Sequence, residues 1–475
     1  MGTFAANLIR MIIRVVKSFL LLTIIAFSFS SCKKDKIDSS SSARLTFSSD
    51  TIFFDTVFTT IGSVTQRLLV YNSNNSKIKV SSIHLSGGEQ SFYKINIDGV
   101  SATTVTDVEI AAHDSLFIFI RVTIDPNNHN NPLVVTDSIQ FITNGNLQDV
   151  KLIAWGQDAW FYKNKTLKGT ILWDSLKPYV IYGYLRVDTA ASLTILPGSK
   201  VYFHKNAYFA VSSEASLKVN GTLEHPVRFQ GDRLDPFYRD LPGQWDGIYL
   251  ERGSKQNVFD YAIIKNGSFG IFADSISPPD PFLTIDNTII QNITGTGIYA
   301  YTSNVTSTNC VIGDCGGAAI YLDFGGNYNF RQLTIGNYWS SSVRTTSSLV
   351  IRNYTYDTTG NKISNALVQA YFGNCIIYGN EDEEIFLDSL NSALFNFRFD
   401  HGLLRTKKMG SSMNYIECMI NKDPVFVDPL AFNYAIDSIS PAIEKGIPMG
   451  VATDIKGVER GLTPDLGAYQ YVKKQ

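Results

Sequence analysis

From residue 44 to about 157 the chain alternates apolar and polar residues in short runs. Arg67 to Asn72, Leu116 to Val122, Ser138 to Phe141 and Val150 to Ala154 all follow a period of two. Such alternation turns one face of a strand to a core and the other to water. Roughly seven runs of this kind, divided by turn residues, predict a β-sandwich over 44–157.

Past residue 165 the alternation gives way to recurrence. Paired aliphatics followed by Asn or Asp return at Ile263-Ile264, Ile289-Ile290, Val311-Ile312, Leu333 to Ile335 and Ile376-Ile377. The steps from Ile264 are 26, 22, 23 and 42 residues, the last fitting two turns or one turn with an inserted loop. Most are followed by a second short strand: Gly270 to Phe272, Gly297 to Tyr299, Ala319 to Tyr321, Glu384 to Phe386. A period near 22–26 with short strands is that of a parallel β-solenoid, whose rungs stack at about 4.8 Å. The fold class predicted is therefore all-β, a parallel β-helix over 165–472 preceded by the sandwich. The asparagines fall where each strand must bend, so they read as structural corners. Cys310 and Cys375 occupy equivalent repeat positions and are expected as stacked, buried free thiols.

The first 43 residues follow neither pattern. Arg10, Arg14 and Lys17 precede an apolar run from Phe19 to Phe27, then Ser30, Ser31 and Cys32. About a dozen apolar residues are too few to span a bilayer, so the segment reads as a targeting signal. Met11 as well as Met1 could start it. Small residues before Cys32 resemble a bacterial lipobox, which implies a signal peptide at 1–31 and acylation of Cys32. Lys33 after the cysteine, by resemblance to sorting rules in diderm bacteria, implies the outer membrane, and the Lys/Asp cluster that begins with it resembles a surface-export tag, which implies the cell surface. Residues 32–43 are polar and low in complexity, which predicts a flexible tether.

Composition narrows the partners. The formal net charge is −2 over 475 residues, which gives no global case for nucleic-acid binding. The expected partners are the membrane, through Cys32, and a polysaccharide or surface protein.

Leu45 to Phe47, Ile52 to Val57, the strand ending at Asn72, and Ala154 to Gly156 resemble the ASH/MSP-type immunoglobulin-like family, whose members act as spacers or protein-binding modules. Gly183 to Val187, Ser192 to Gly198, Ser216 to Thr222 and Gly243 to Ile248 resemble the opening rungs of bacterial pectate-lyase-like right-handed β-helix proteins. Asp423 to Pro429, Ser440 to Gly446 and Asp465 to Tyr469 resemble the choice-of-anchor Q type. These likenesses imply the fold; they leave function open, because β-helices serve as lyases, hydrolases, adhesins and stalks.

Candidate chemistry is sparse. Under a lyase reading a Ca²⁺ would need clustered carboxylates, and Glu381, Asp382 and Glu383 are the candidates; otherwise no cofactor is expected. Adjacent strand residues point to opposite faces, so a solvated loop is the plainer expectation there. Asp400 and His401 could form an acid–base pair, although their frame matches a rung. Aromatic loop residues are the better lead to a ligand. Phe237, Tyr238 and Arg239 lie in a loop that interrupts the coil, and Tyr338 and Trp339 lie in another. The sequence thus favours binding or scaffolding over catalysis, with a polysaccharide lyase or glycoside hydrolase in the coil's groove as the alternative. Three or more charged side chains converging in one outward cleft would favour the enzyme.

Overall fold

The computed structural model describes residues 15–17, 36–59, 62–124, 133–235, 237–275, 283–407 and 413–473. Cys32 and nearly all of the expected signal peptide lie outside them. The chain divides into two compact units, one ending at Gly156 and one running from Gln157.

The first unit holds ten strands in two five-stranded sheets. One sheet is centred on Gln66–Tyr71 and Ser115–Val122, paired antiparallel from Gln66↔Ile120 to Tyr71↔Ser115. The other joins Asn146–Gln157 to Leu133–Thr143 in a long hairpin. Strand Ser115–Val122 shows the expected period: Leu116, Ile118, Ile120 and Val122 are buried while Phe117 and Phe119 are exposed. Apolar residues of both sheets form one core, including Val70, Ile118, Phe141 and Leu152. Two of the three strands beyond the seven expected are the two-residue edges Thr46–Phe47 and Val100–Ser101. Two residues carry too little pattern to be read.

The described end of the expected tether is docked, not free. The Asp38 amide donates to Lys77 O at 2.7 Å, and Asn144 Nδ2 donates to both Asp38 O and Ser40 O at 2.9 Å. Carbonyls of a polar segment are as good acceptors as any, so a side-chain amide at a hairpin turn can hold a stretch with nothing to bury.

The second unit is a parallel β-helix, its coil strands joined in one 26-stranded sheet. Register pairs align Val201↔Phe229, Phe229↔Ile264, Ile264↔Ile290, Ile290↔Ile312, Ile312↔Ile335, Ile335↔Ile377 and Ile377↔Leu404. Every member of this column is at most 1% exposed, so each rung buries its aliphatic against the rungs above and below. Burying one such side chain contributes about 1.5–3 kcal/mol. The direct pairing of Ile335 with Ile377 shows the 42-residue step to be one turn with an insertion. Cys310 and Cys375 are both buried in one column, but Leu333 lies between them, since Val311 aligns with Thr334 and Thr334 with Ile376.

Rungs end at Met419–Ile420, earlier than the expected 472. The chain from there folds back along the outside of the coil as a strap. Phe426, Tyr434, Ile436, Ile455 and Leu466 pack on the outward Val311, Ile376 and Leu403. Those coil residues break the inward-apolar rule and would otherwise face water, so the strap has a surface to cover. The corner asparagines hold it. Asn374 Nδ2 donates to Ile447 O at 2.7 Å and its Oδ1 accepts from Ile447 N at 3.1 Å. Asn309 Nδ2 donates to Thr453 O at 2.7 Å.

Candidate functional site

In each of four successive rungs one strand places an aliphatic inward and an aromatic outward, and in three of them an acidic residue, Glu251, Asp274 or Asp323, stands two positions further on. Ile248, Ile271, Ile298 and Ile320 are fully buried. The next residues, Tyr249, Phe272, Tyr299 and Tyr321, stand in register on the outer face. Parallel in-register pairing makes a ladder of whatever recurs at one position. Ring centroids are 5.8 Å apart from Tyr249 to Phe272, 5.0 Å from Phe272 to Tyr299 and 5.2 Å from Tyr299 to Tyr321.

The ladder differs at its two ends. Phe272 and Tyr299 are stacked parallel to within 1°. Below them Asp323, 2% exposed, is fully engaged. It accepts from Arg352 at 2.8 and 2.9 Å and from the Tyr299 hydroxyl at 2.5 Å. That end is a structural seam.

At the other end Tyr208 stands perpendicular to Tyr249, at 89° and 6.0 Å. The register sets Phe209 against Ile248, so Gly247 is the neighbour of Tyr208 in the next rung. Gly247 adds no side chain there, Phe269 fills the position its Cβ would take, and an opening lies beside the two tyrosines. The opening is a cavity of about 310 Å³ lined by Tyr208, Tyr249 and Phe272 together with Arg186, Asp246, Glu251 and Asp274. That size is at the low end of the usual range for small-molecule sites.

Arg186 Nη1 donates to both oxygens of Glu251, at 2.6 and 2.7 Å, and to Ser212 Oγ at 3.0 Å. The hydrogen bond to Glu251 raises the Arg186 pKa above its ordinary value, so the guanidinium stays charged. Burial, reinforced by the charge of Asp246, pushes the Tyr249 hydroxyl well above its usual range and keeps it neutral. Among the described residues Asp246 and Asp274 enter no ion pair. Asp274 accepts one hydrogen bond, from Ser275 Oγ at 2.8 Å.

None of the site residues expected from sequence lies in this cavity. Glu381, Asp382 and Glu383 do not converge, and among the described residues no group of three His, Cys, Asp or Glu is placed to hold a metal. Asp382 pairs with Arg405 at 3.2 Å and Lys407 at 3.0 Å, which lowers its pKa. Glu383 accepts from Thr406 Oγ1 and Lys407 N at 2.6 and 2.9 Å. The Glu381 amide serves Glu384 instead, at 2.8 Å. Two of the three carboxylates are taken up by protein donors and the three do not gather, so these residues do not fit a Ca²⁺.

Asp400 and His401 do touch, Oδ1 to Nδ1 at 2.7 Å. Asp400 also accepts from Arg398 and Tyr371 at 3.1 and 3.2 Å. His401 has φ 54°, like Asn309, Gln332 and Asn374 at 54°, 54° and 52°. All four precede the inward residue of their rung, so His401 is a corner of the coil.

Tyr338 and Trp339 are not presented to a ligand. Trp339 is 5% exposed and donates to Ser342 Oγ at 2.9 Å; Tyr338 packs edge-on against Phe426 of the strap at 6.1 Å. The Phe237–Arg239 loop is pinned to the corner ladder, Asn266 Nδ2 donating to Arg239 O at 2.7 Å and Asn292 Nδ2 to Asn266 Oδ1 at 2.8 Å. The Arg233 guanidinium lies 3.6 Å from the Tyr238 ring centre and covers it. Phe237 projects at 72% exposure, and the exposed Arg239 side chain turns to Asp240 at 3.3 Å.

Residues 201–335 and 246–396 match the family described as "Right handed beta helix region". The coil is accordingly a right-handed parallel β-helix. No curated protein matches. Among solved structures, a family 123 glycoside hydrolase from Clostridium perfringens is similar at 9% identity over 28% of this chain, with a TM-score of 0.20; the chain spans only 30% of that protein. The ASH/PapD-like domain 7 of human CEP192 is similar at 11% identity over 27% of this chain and 92% of that one, TM-score 0.17. The catalytic unit of a thermostable GH87 α-1,3-glucanase from Streptomyces thermodiastaticus is similar at 12% identity over 69% of each chain, TM-score 0.29.

Proposed function

We propose that the protein is an outer-membrane surface lipoprotein, acylated at Cys32, whose β-helix binds a glycan in the cavity between Tyr208, Tyr249 and Phe272. The immunoglobulin-like reading of the first unit makes it a spacer in this scheme. The observation that carries the proposal is the perpendicular pair Tyr208–Tyr249 beside Asp246, Glu251 and Asp274. A pyranose ring has an apolar C–H face and a rim of hydroxyls. It needs an uncovered aromatic face and hydrogen-bond acceptors within one small space.

The test is a glycan array probed with the chain from Lys33 onward, followed by titration of each hit. Tyr249→Ala is expected to weaken binding at least ten-fold while Phe237→Ala leaves it within two-fold. The reverse pattern would move the site to the loop.

A second reading rests on a specific observation. Arg186, Asp246, Glu251 and Asp274 converge in one outward cavity, which satisfies the sequence-based criterion for an enzyme. Carboxylates flanking a bound sugar are the groups glycoside hydrolysis uses. Screening the array hits for new reducing ends decides between the two: release of product at catalytic amounts of protein, abolished in Asp246→Asn or Asp274→Asn, would establish hydrolysis.

A further inference from the structure

The same cavity carries a charge imbalance that narrows its ligand. One guanidinium faces three carboxylates, a net of −2 in the lining, and that guanidinium is already committed to Glu251. The other two carboxylates, both half-buried, are met among the described residues only by neutral hydroxyls, Tyr249 at Asp246 and Ser275 Oγ at Asp274, so a ligand of opposite charge would complement the lining. We propose, resting on the glycan reading above, that the sugar unit bound here bears a protonated primary amine, as a hexosamine with a free amino group does.

Two features of the cavity agree with a cation. Two ring planes at 89° form adjoining walls, and the negative face of an aromatic ring attracts an ammonium group within about 6 Å. Asp246 and Asp274 approach from the polar side with no ion-pair partner. Ser275 Oγ occupies Oδ1 of Asp274, so Oδ2 is left to accept from an N–H. An ammonium with three donors can satisfy a carboxylate and rest on a ring face at once. A uronate would set a fourth carboxylate among three, and an N-acetyl group would replace the charge with a bulkier neutral amide. The inference thus turns the site away from the acidic polysaccharides that lyases cleave.

The experiment titrates the chain from Lys33 onward with three probes of equal length: a fully de-N-acetylated chito-oligosaccharide, its fully N-acetylated counterpart, and an oligogalacturonate. The de-acetylated oligomer is expected to bind at least ten-fold tighter than the acetylated one, and the galacturonate not at all. Asp274→Asn or Asp246→Asn, each shown to keep the wild-type melting temperature, is expected to bring the ratio near one. Asp98→Asn, an exposed change in the first unit, is expected to leave the ratio as it was, which separates the cavity from general attraction of a polycation. Equal or tighter binding of the acetylated oligomer would overturn the amine while leaving the glycan reading in place. Binding of no saccharide of any class would overturn both.

Discussion

The hydroxyl of Tyr434 donates to Oδ2 of Asp314, joining strap and coil across 120 residues of chain. Its ring lies flat over Gly313 and Gly336, where a Cβ would come within 2.5 and 2.3 Å of ring or hydroxyl atoms. Side chains at those two positions would lift the ring, so the strap seats only because both rungs carry glycine there.

Burial raises the Asp314 pKa from 3.8 to about 6, the Tyr434 hydrogen bond opposing the rise. A carboxyl raised in this way binds its proton more tightly in the seated state than in the released one. Strap stability is therefore greatest below about pH 4, falls as pH climbs to about 6, and is flat above. The loss amounts to about 2–3 kcal/mol. Hydrogen exchange of residues 430–470, followed from pH 4 to 7 and corrected for intrinsic rates, measures it as the difference between wild type and Asp314→Asn. An identical pH response in the two proteins would refute it.

Arg344 and Glu384 form an ion pair 2.6 Å long with side chains 1% and 0% exposed, and Ser348 N adds a bond to Glu384 at 3.0 Å. Removing one partner strands a buried charge, so Arg344→Met or Glu384→Gln alone is expected to cost about 3–5 kcal/mol in chemical denaturation. The double variant removes both charges and should recover more than half of that loss. Additive losses would show that the pair is not coupled.

His401 tests the corner reading against catalysis. Asn suits the left-handed backbone that Asn309 and Asn374 adopt in the same column. Hence His401→Asn should stay within about 0.5 kcal/mol of wild type and keep any glycan affinity or turnover. His401→Val, β-branched at positive φ, should cost about 1–2 kcal/mol. Loss of turnover in a stable Asn variant would restore His401 as a catalytic candidate.

Much of the coil could be read from the chain because its period repeats a demand of the backbone. Each rung needs an inward aliphatic and a bend, so Ile264, Ile290 and Ile312 mark the rungs and Asn266, Asn292 and Asp314, each at positive φ, mark the bends that follow them. The strap was not legible in the same way. Phe426, Tyr434 and Ile436 bury against side chains of rungs far earlier in the chain, and no local period encodes that contact. The cavity was half legible. Phe272 stood in plain view in the second short strand of its repeat, with Tyr299 and Tyr321 continuing the ladder beyond the cavity, and the recurring aromatic after the inward isoleucine was the signal to follow. What a one-dimensional reading lacked was the register that aligns Tyr208 with Gly247.

By itself, then, the sequence determined an all-β chain with a sandwich pattern followed by a coiled one, because periods of two and of about 23 reflect local strand and rung geometry. Tertiary structure decided which outward residues are free. Stacking engaged Asp323 and Asp400, buried Trp339, dispersed Glu381, Asp382 and Glu383, and left Tyr208, Asp246 and Asp274 around one opening. Exposure and charge pairing depend on which rung, strap or loop lies across a residue, and those neighbours come from distant parts of the chain.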